Sequence, residues 1–208
     1  MATSSLVTPA LNETTAPFQF DRGPVLVGGN DLAAENSSPG SDAFGFEAAT
    51  MAPATSGTVT YGTTGTVYLN ALTLAAGRTF SALYINSVAI AGTVTHGLLG
   101  LYNAAGTLVA SATDLGAFTT GLLRATLTTP YVVPSSGMYW AALSVSWATT
   151  APTFSGTAPG AAILGGPASL AASVTPFATN GTATTALAAT ITPASNVDSG
   201  IAFWIGAA

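Results

Sequence analysis

The chain has no lysine and no cysteine, and only three arginines and one histidine among its 208 residues. Without cysteine there are no disulfides and no thiolate metal sites, and the redox compartment stays unread. Three arginines cannot build the clustered positive surface that phosphate neutralisation needs, so nucleic acid is not an expected partner. Mean hydropathy is +0.53, yet Thr and Ser interrupt every apolar run. None approaches the roughly 18 residues that span a bilayer, and no membrane partner is expected. Met1–Leu6 has neither a basic start nor a long apolar stretch, and does not read as a secretory signal.

Acidic residues are few and unevenly placed. Glu13, Asp21, Asp31, Glu35, Asp42 and Glu47 stand against Arg22 in the first 47 residues, which accounts for the whole formal charge of −5. From position 48 onward the charged residues are Arg78, Arg124, Asp114 and Asp198, which sum to zero. Most enzyme chemistry needs ionisable groups held close together, and this body is nearly empty of them. The lone His96 reads as a neutral imidazole in or beside a strand. No G-x-S-x-G pattern accompanies it, which argues against a Ser-His-Asp triad. Asp114 and Asp198 are the only body carboxylates for glycoside cleavage, a poor basis for that chemistry. Gly28-Gly29-Asn30-Asp31 is a turn without the Lys and spacing of a phosphate loop. Asn196-Val197-Asp198 is the nearest approach to a calcium loop and falls short of one. The expectation is therefore no enzyme, no catalytic residue, no cofactor and no metal.

What is abundant is Ala, Thr and Gly. Residues 1–42 lack periodicity and are broken by Pro9, Pro17, Pro24 and Pro39. They keep apolar pieces, Phe18-Gln19-Phe20 and Val25-Leu26-Val27. A disordered tail is one reading. An extended N-terminal arm that lays Phe18, Phe20, Val25, Leu26 and Val27 on a neighbouring subunit is preferred, because disordered tails are usually poorer in such residues.

Residues 43–208 read as a β-domain. Strands are expected at 58–61, 66–74, 79–90, 95–102, 107–112, 122–127, 138–147, 186–191 and 201–205. Asn103-Ala104-Ala105-Gly106 reads as a hairpin turn, and Pro134-Ser135-Ser136-Gly137 as the turn into the strand at 138. Helix signals are poor. The expected fold class is all-β, an antiparallel two-sheet sandwich, jelly-roll-like, behind the extended arm. In 138–147, Tyr139, Ala141, Leu143, Val145 and Trp147 share one face, read as inward. Met138, Trp140, Ala142, Ser144 and Ser146 share the other. Leu83, Ile85, Leu99, Leu101, Leu123, Leu143, Val145 and Phe203 are the expected core.

Aromatic residues are the remaining route to a ligand. Trp147 ends its strand, with the loop 148–152 and then Phe154 beyond it. An aromatic so placed offers a glycan platform, its apolar face on a sugar ring and its polar edge wet. The alternative is that Trp147 closes one end of the core. Trp140 and Trp204 read as packing or subunit-contact residues. A surface so poor in charge carries little repulsion against self-association and suits many packed copies.

The stretch from Phe44 to Ile205 resembles a domain that recurs in virion proteins of bacteriophages infecting Actinobacteria, many of them minor tail proteins. The residues that carry the resemblance are Gly65–Leu69, Leu98–Ala110 (LLGLYNAAGTLVA), Gly121–Arg124, Thr129–Leu143 (TPYVVPSSGMYWAAL), Leu187–Pro193 and Ile201–Gly206. These are patterns of strands and turns. The resemblance implies a structural protein on the outer surface of a phage particle, made in the host cytoplasm. A minor tail, host-contact role is expected first and a capsid decoration protein second. A free carbohydrate-binding module or adhesin is the expectation of another class. Expected partners are other virion proteins reached through the arm, further copies in a homotrimer, and a host-surface glycan.

Overall fold

A computed structural model of the chain describes residue 46 and residues 48–51, 56–158 and 171–208. The expected arm, with Phe18, Phe20, Val25, Leu26 and Val27, and its boundary at residue 42 lie outside them. Among the described residues there is no α-helix; two short 3-10 turns occur at Ala172–Val174 and Pro193–Ser195.

Eight strands make two facing sheets. One sheet runs β2 (Gly57–Thr60), β9 (Thr153–Thr157), β4 (Thr79–Ala89) and β7 (Gly121–Val132). The other runs β3 (Thr66–Leu74), β8 (Gly137–Ala148), β5 (Thr93–Asn103) and β6 (Leu108–Ser111). Every neighbouring pair is antiparallel. This 2-9-4-7 and 3-8-5-6 order is the jelly-roll topology, two sheets wound from one folded-over ribbon. Short strands extend both sheets. β10 (Phe177–Thr182) and β11 (Val197–Asp198) continue the second sheet beyond β3. β12 (Ala202–Phe203) pairs β9, and β13 (Ile205–Ala207) lies between β4 and β1 (Ala48–Ala49).

Burial on both faces of β8 explains its two tryptophan-bearing faces. Tyr139, Ala141, Leu143 and Val145 join the core between the sheets, and Trp147 packs against it half-buried. Leu83, Ile85, Leu99, Leu101 and Phe203 meet them there, with Leu123 partly buried alongside. Tyr61, Tyr68, Phe154 and Phe203 form an aromatic cluster in this core, with ring centroids 4.9 to 6.1 Å apart. Trp140 and Ala142, on the opposite face, join Val67, Leu69, Leu98, Tyr102, Ala178 and Ala183 in a second cluster. Leu187 and Ile191 pack over this outer cluster.

Those covering residues correct one expectation. The segment 186–191 is a strap, not a strand. Its backbone forms only an isolated bridge, Thr107 to Thr190. The bridge is made by the Leu108 N–H to the Ala189 carbonyl at 2.9 Å and the Ile191 N–H to the Gly106 carbonyl at 2.8 Å, and the Ala188 carbonyl accepts from the Tyr102 hydroxyl at 2.7 Å. The expected strand 201–205 is also divided. The chain changes partners at Trp204, and the Thr50 hydroxyl spans the break by donating to the Phe203 carbonyl and accepting from the Ile205 N–H. The turn at 103–106 forms as read: the Gly106 N–H reaches the Asn103 carbonyl at 2.9 Å with Gly106 at φ 85°.

Candidate functional site

Phe154 follows the loop after β8, but within a strand. It lies in β9, opposite Ser87 of β4 and Val59 of β2, and is fully buried among Tyr61, Phe118 and Phe203. A ring with no exposed face cannot stack on a sugar, so Phe154 is removed as a glycan contact. No strand is among those expected at Thr153–Thr157, because Thr-Phe-Ser-Gly-Thr holds a single large apolar residue. Trp147 stands at the end of β8, where the Thr64 hydroxyl accepts its N–H at 3.0 Å. Its indole Nε1 is enclosed without a hydrogen-bond partner, and its ring leans on the inner core. The polar edge that a platform keeps wet is therefore inside.

His96 and Asp114 are brought together. His96 is in β5, and Asp114 follows β6. Nδ1 of His96 and Oδ2 of Asp114 are 2.5 Å apart, each side chain about one-third exposed at 36% and 32%. Oδ1 of Asp114 accepts the N–H groups of Gly97 and Gly116, both at 2.9 Å. Partial burial pushes the Asp114 carboxyl up. The hydrogen bond from His96, the two glycine N–H groups and the imidazole charge together outweigh it and hold the group below the ordinary carboxylate range. Ser146 pairs with His96 across β5 and β8, but its hydroxyl donates to the Thr184 carbonyl at 3.3 Å. The nucleophile-to-base hydrogen bond of a triad is not made. The dyad ties the segment after β6 to β5. Leu115 and Phe118 of that segment then meet the backbone of Gly97 closely, a Cβ there falling 2.7 Å from the Phe118 ring. Asp198, the other body carboxylate, lies in β11 and accepts the Gly200 N–H at 2.9 Å. No group of three or more His, Asp or Glu side chains poised for a metal occurs among the described residues.

The outer face of β4 and β7 carries the more distinctive surface. Tyr84 lies opposite Arg124 and Asn86 opposite Leu122 in the antiparallel register. Side chains two apart on a strand share a face, so Leu122, Arg124 and Thr126 stand together, beside Tyr84, Asn86 and Val88. Leu122 is 58% exposed and Val88 39%. The Arg124 guanidinium is held flat on this face: Nε donates to the Tyr84 hydroxyl at 3.1 Å and Nη1 to the Thr126 hydroxyl at 2.9 Å. Among the described residues no carboxylate pairs with it. Phe46 sits on the same face, edge-on to Tyr84 and to Trp204 with ring centroids 5.1 Å away in each case. Sequence reasoning passed over this surface. The available signal was an arginine at an alternate position of a strand in a chain with only three.

No protein-family model matches the chain, and no curated protein matches it.

Proposed function

We propose that this protein is a structural component of the outer surface of a bacteriophage particle, a minor tail protein that contacts the host. The observation that carries the reading is the jelly-roll strand order, β2-β9-β4-β7 facing β3-β8-β5-β6. Capsid and lectin domains use this architecture, and fold alone does not choose among functions. The choice rests on two further supports. One is the sequence resemblance to actinobacteriophage virion domains over Phe44 to Ile205. The other is the chemistry of the body, in which His96 and Asp114 form a pair that serves as a structural tie.

In this reading the β-domain faces outward and the acidic, proline-broken N-terminal residues hold it to its neighbours. Imaging of purified particles with an antibody against the β-domain tests it. Label at the tail, at low copy number, is the expected result. Label spread over the shell at high copy number means a capsid decoration protein. Absence from particles, with binding of the free protein to host glycans, means a carbohydrate-binding module and overturns the proposal.

A further inference from the structure

We propose that the outer face of β4 and β7 receives the acidic N-terminal residues of a second copy of this chain. The inference concerns how copies join and does not depend on the tail assignment. The receiving surface has two parts. Leu122 and Val88 give it exposed apolar area. Arg124 gives it a positive charge held in place by Tyr84 and Thr126. Two of the five guanidinium donors are used within the face, and among the described residues the other three meet no acceptor. A guanidinium already held in one geometry gives up less freedom when it binds a carboxylate.

The chain itself carries the complementary chemistry. Its net negative charge is confined to the first 47 residues, where six acidic side chains face one arginine, while the rest sums to zero. Within that region Phe18-Gln19-Phe20-Asp21 sets two rings beside a carboxylate, the pairing that Leu122 and Arg124 would meet. The position of Phe46 adds a second argument. The described chain enters at Phe46 on this same face, against Tyr84, whose hydroxyl touches Arg124. Phe46 thus sets an aromatic ring on the same face as Arg124. One arm and one face per copy make a heterologous contact, which closes into a ring when the rotation allows.

The absence of cysteine makes the test clean. Full-length chains bearing Leu122→Cys are mixed with tagged full-length chains bearing Phe18→Cys, Phe20→Cys or Val25→Cys, and oxidised gently. Val197→Cys, on the exposed edge strand β11, replaces Leu122→Cys as the control. The expected result is a mixed disulfide dimer between Leu122→Cys and at least one arm variant, absent with the control. Adding Arg124→Glu or Arg124→Gln to the Leu122→Cys chain should lower its yield about tenfold, the scale of one charge-assisted contact. Both substitutions are on the surface, and an unchanged circular dichroism spectrum shows that the domain is folded. Two outcomes overturn the proposal: no mixed dimer with any arm variant, or a yield indifferent to Arg124.

Discussion

Asn70 and Phe203 are joined across the interior of the sandwich. The buried Asn70 amide oxygen, on the inward face of β3, accepts the backbone N–H of Phe203 in β12 at 2.8 Å. This bond links one sheet to the other, and it gives a partner to an N–H that would otherwise be buried alone. The Asn70 Nδ2 has no partner, so the side chain is held at some cost for the sake of its oxygen. Asn70→Leu should leave the Phe203 N–H unpaired and lower stability by about 1–3 kcal/mol, the desolvation cost of one buried donor. Asn70→Asp should cost more at neutral pH, because a charge is then buried without a counter-ion. Urea denaturation of the two variants checks the order; equal stability of Asn70→Leu and the parent would show that the bond contributes nothing.

Tyr61 performs a similar task at one end of the core. Its buried hydroxyl shares its one proton between the Thr66 and Leu143 carbonyls and accepts the Val145 N–H at 3.0 Å. It thereby fastens the turn between β2 and β3 to the middle of β8. Burial pushes its phenol far above the usual range, as expected for a group kept neutral inside. Tyr61→Phe keeps the ring and removes every one of these bonds. The expected loss is about 2–3 kcal/mol, which for a domain of this size lowers Tm by about 4–12 °C. Calorimetry showing a shift under a degree would refute the role.

Much of this architecture was legible in the sequence. The strand at 66–74 is read to the residue and those at 79–90, 95–102 and 138–147 to within two, while β7 runs on to Val132, five residues past the expected end. Their Val, Leu, Thr and Tyr content, with punctuation by turn residues, is local information. Two kinds of element escaped. β9 and β10, Thr-Phe-Ser-Gly-Thr and Phe-Ala-Thr-Asn-Gly-Thr, carry almost no alternation because their neighbours supply the burial. The strap at 186–191 has the reverse property. Leu187 and Ile191 recur as strand residues would, yet they cover the outer cluster while their backbone stays largely out of the ladder. The surface around Arg124 was hidden for a third reason. Which strand lies opposite β7 is a matter of topology, and no local pattern states that Tyr84 faces Arg124.

Close backbone approach makes one glycine indispensable. A Cβ built on Gly156 in β9 falls 2.3 Å from the Ala202 carbonyl oxygen and 3.2 Å from the Phe203 Cα. Both are backbone atoms of the strand it pairs with, so nothing flexible can yield. Gly156→Ala should separate β12 from β9 and destabilise by about 1–3 kcal/mol, as overpacking does. Gly137, at the start of β8, has nothing within 4 Å of the same position. There Gly137→Ala should be neutral or stabilise by up to about 1 kcal/mol, by narrowing the unfolded ensemble. Denaturant midpoints that rank the two variants the other way would contradict the packing described for β9 and β12.

The His96–Asp114 tie predicts a dependence on acid. The carboxyl is held lower in the folded chain than its ordinary value of 3.8: burial works against this, and the bonds from His96, Gly116 and Gly97 prevail. A group whose folded pKa is depressed stabilises the fold above its unfolded pKa, and loses that contribution as pH falls through the folded value. The benefit should therefore be complete at neutral pH, begin to fade below about pH 4, and vanish at lower pH. The stability difference between the parent and Asp114→Asn should follow that course, constant from pH 7 to about pH 5 and closing toward pH 2. The side chain is about one-third exposed at 32%, so solvent weakens the effect and it will be modest. Its location is more diagnostic than its size. Asp114 holds the segment that carries Leu115 and Phe118 against Gly97, so Asp114→Asn should loosen residues 113–120 ahead of the rest of the domain. Hydrogen exchange at neutral pH should show faster exchange in that segment and unchanged protection in β3 and β8. Uniform loss of protection across the sheets, or a stability difference that widens as pH falls, would rule out the tie as the acid-sensitive element.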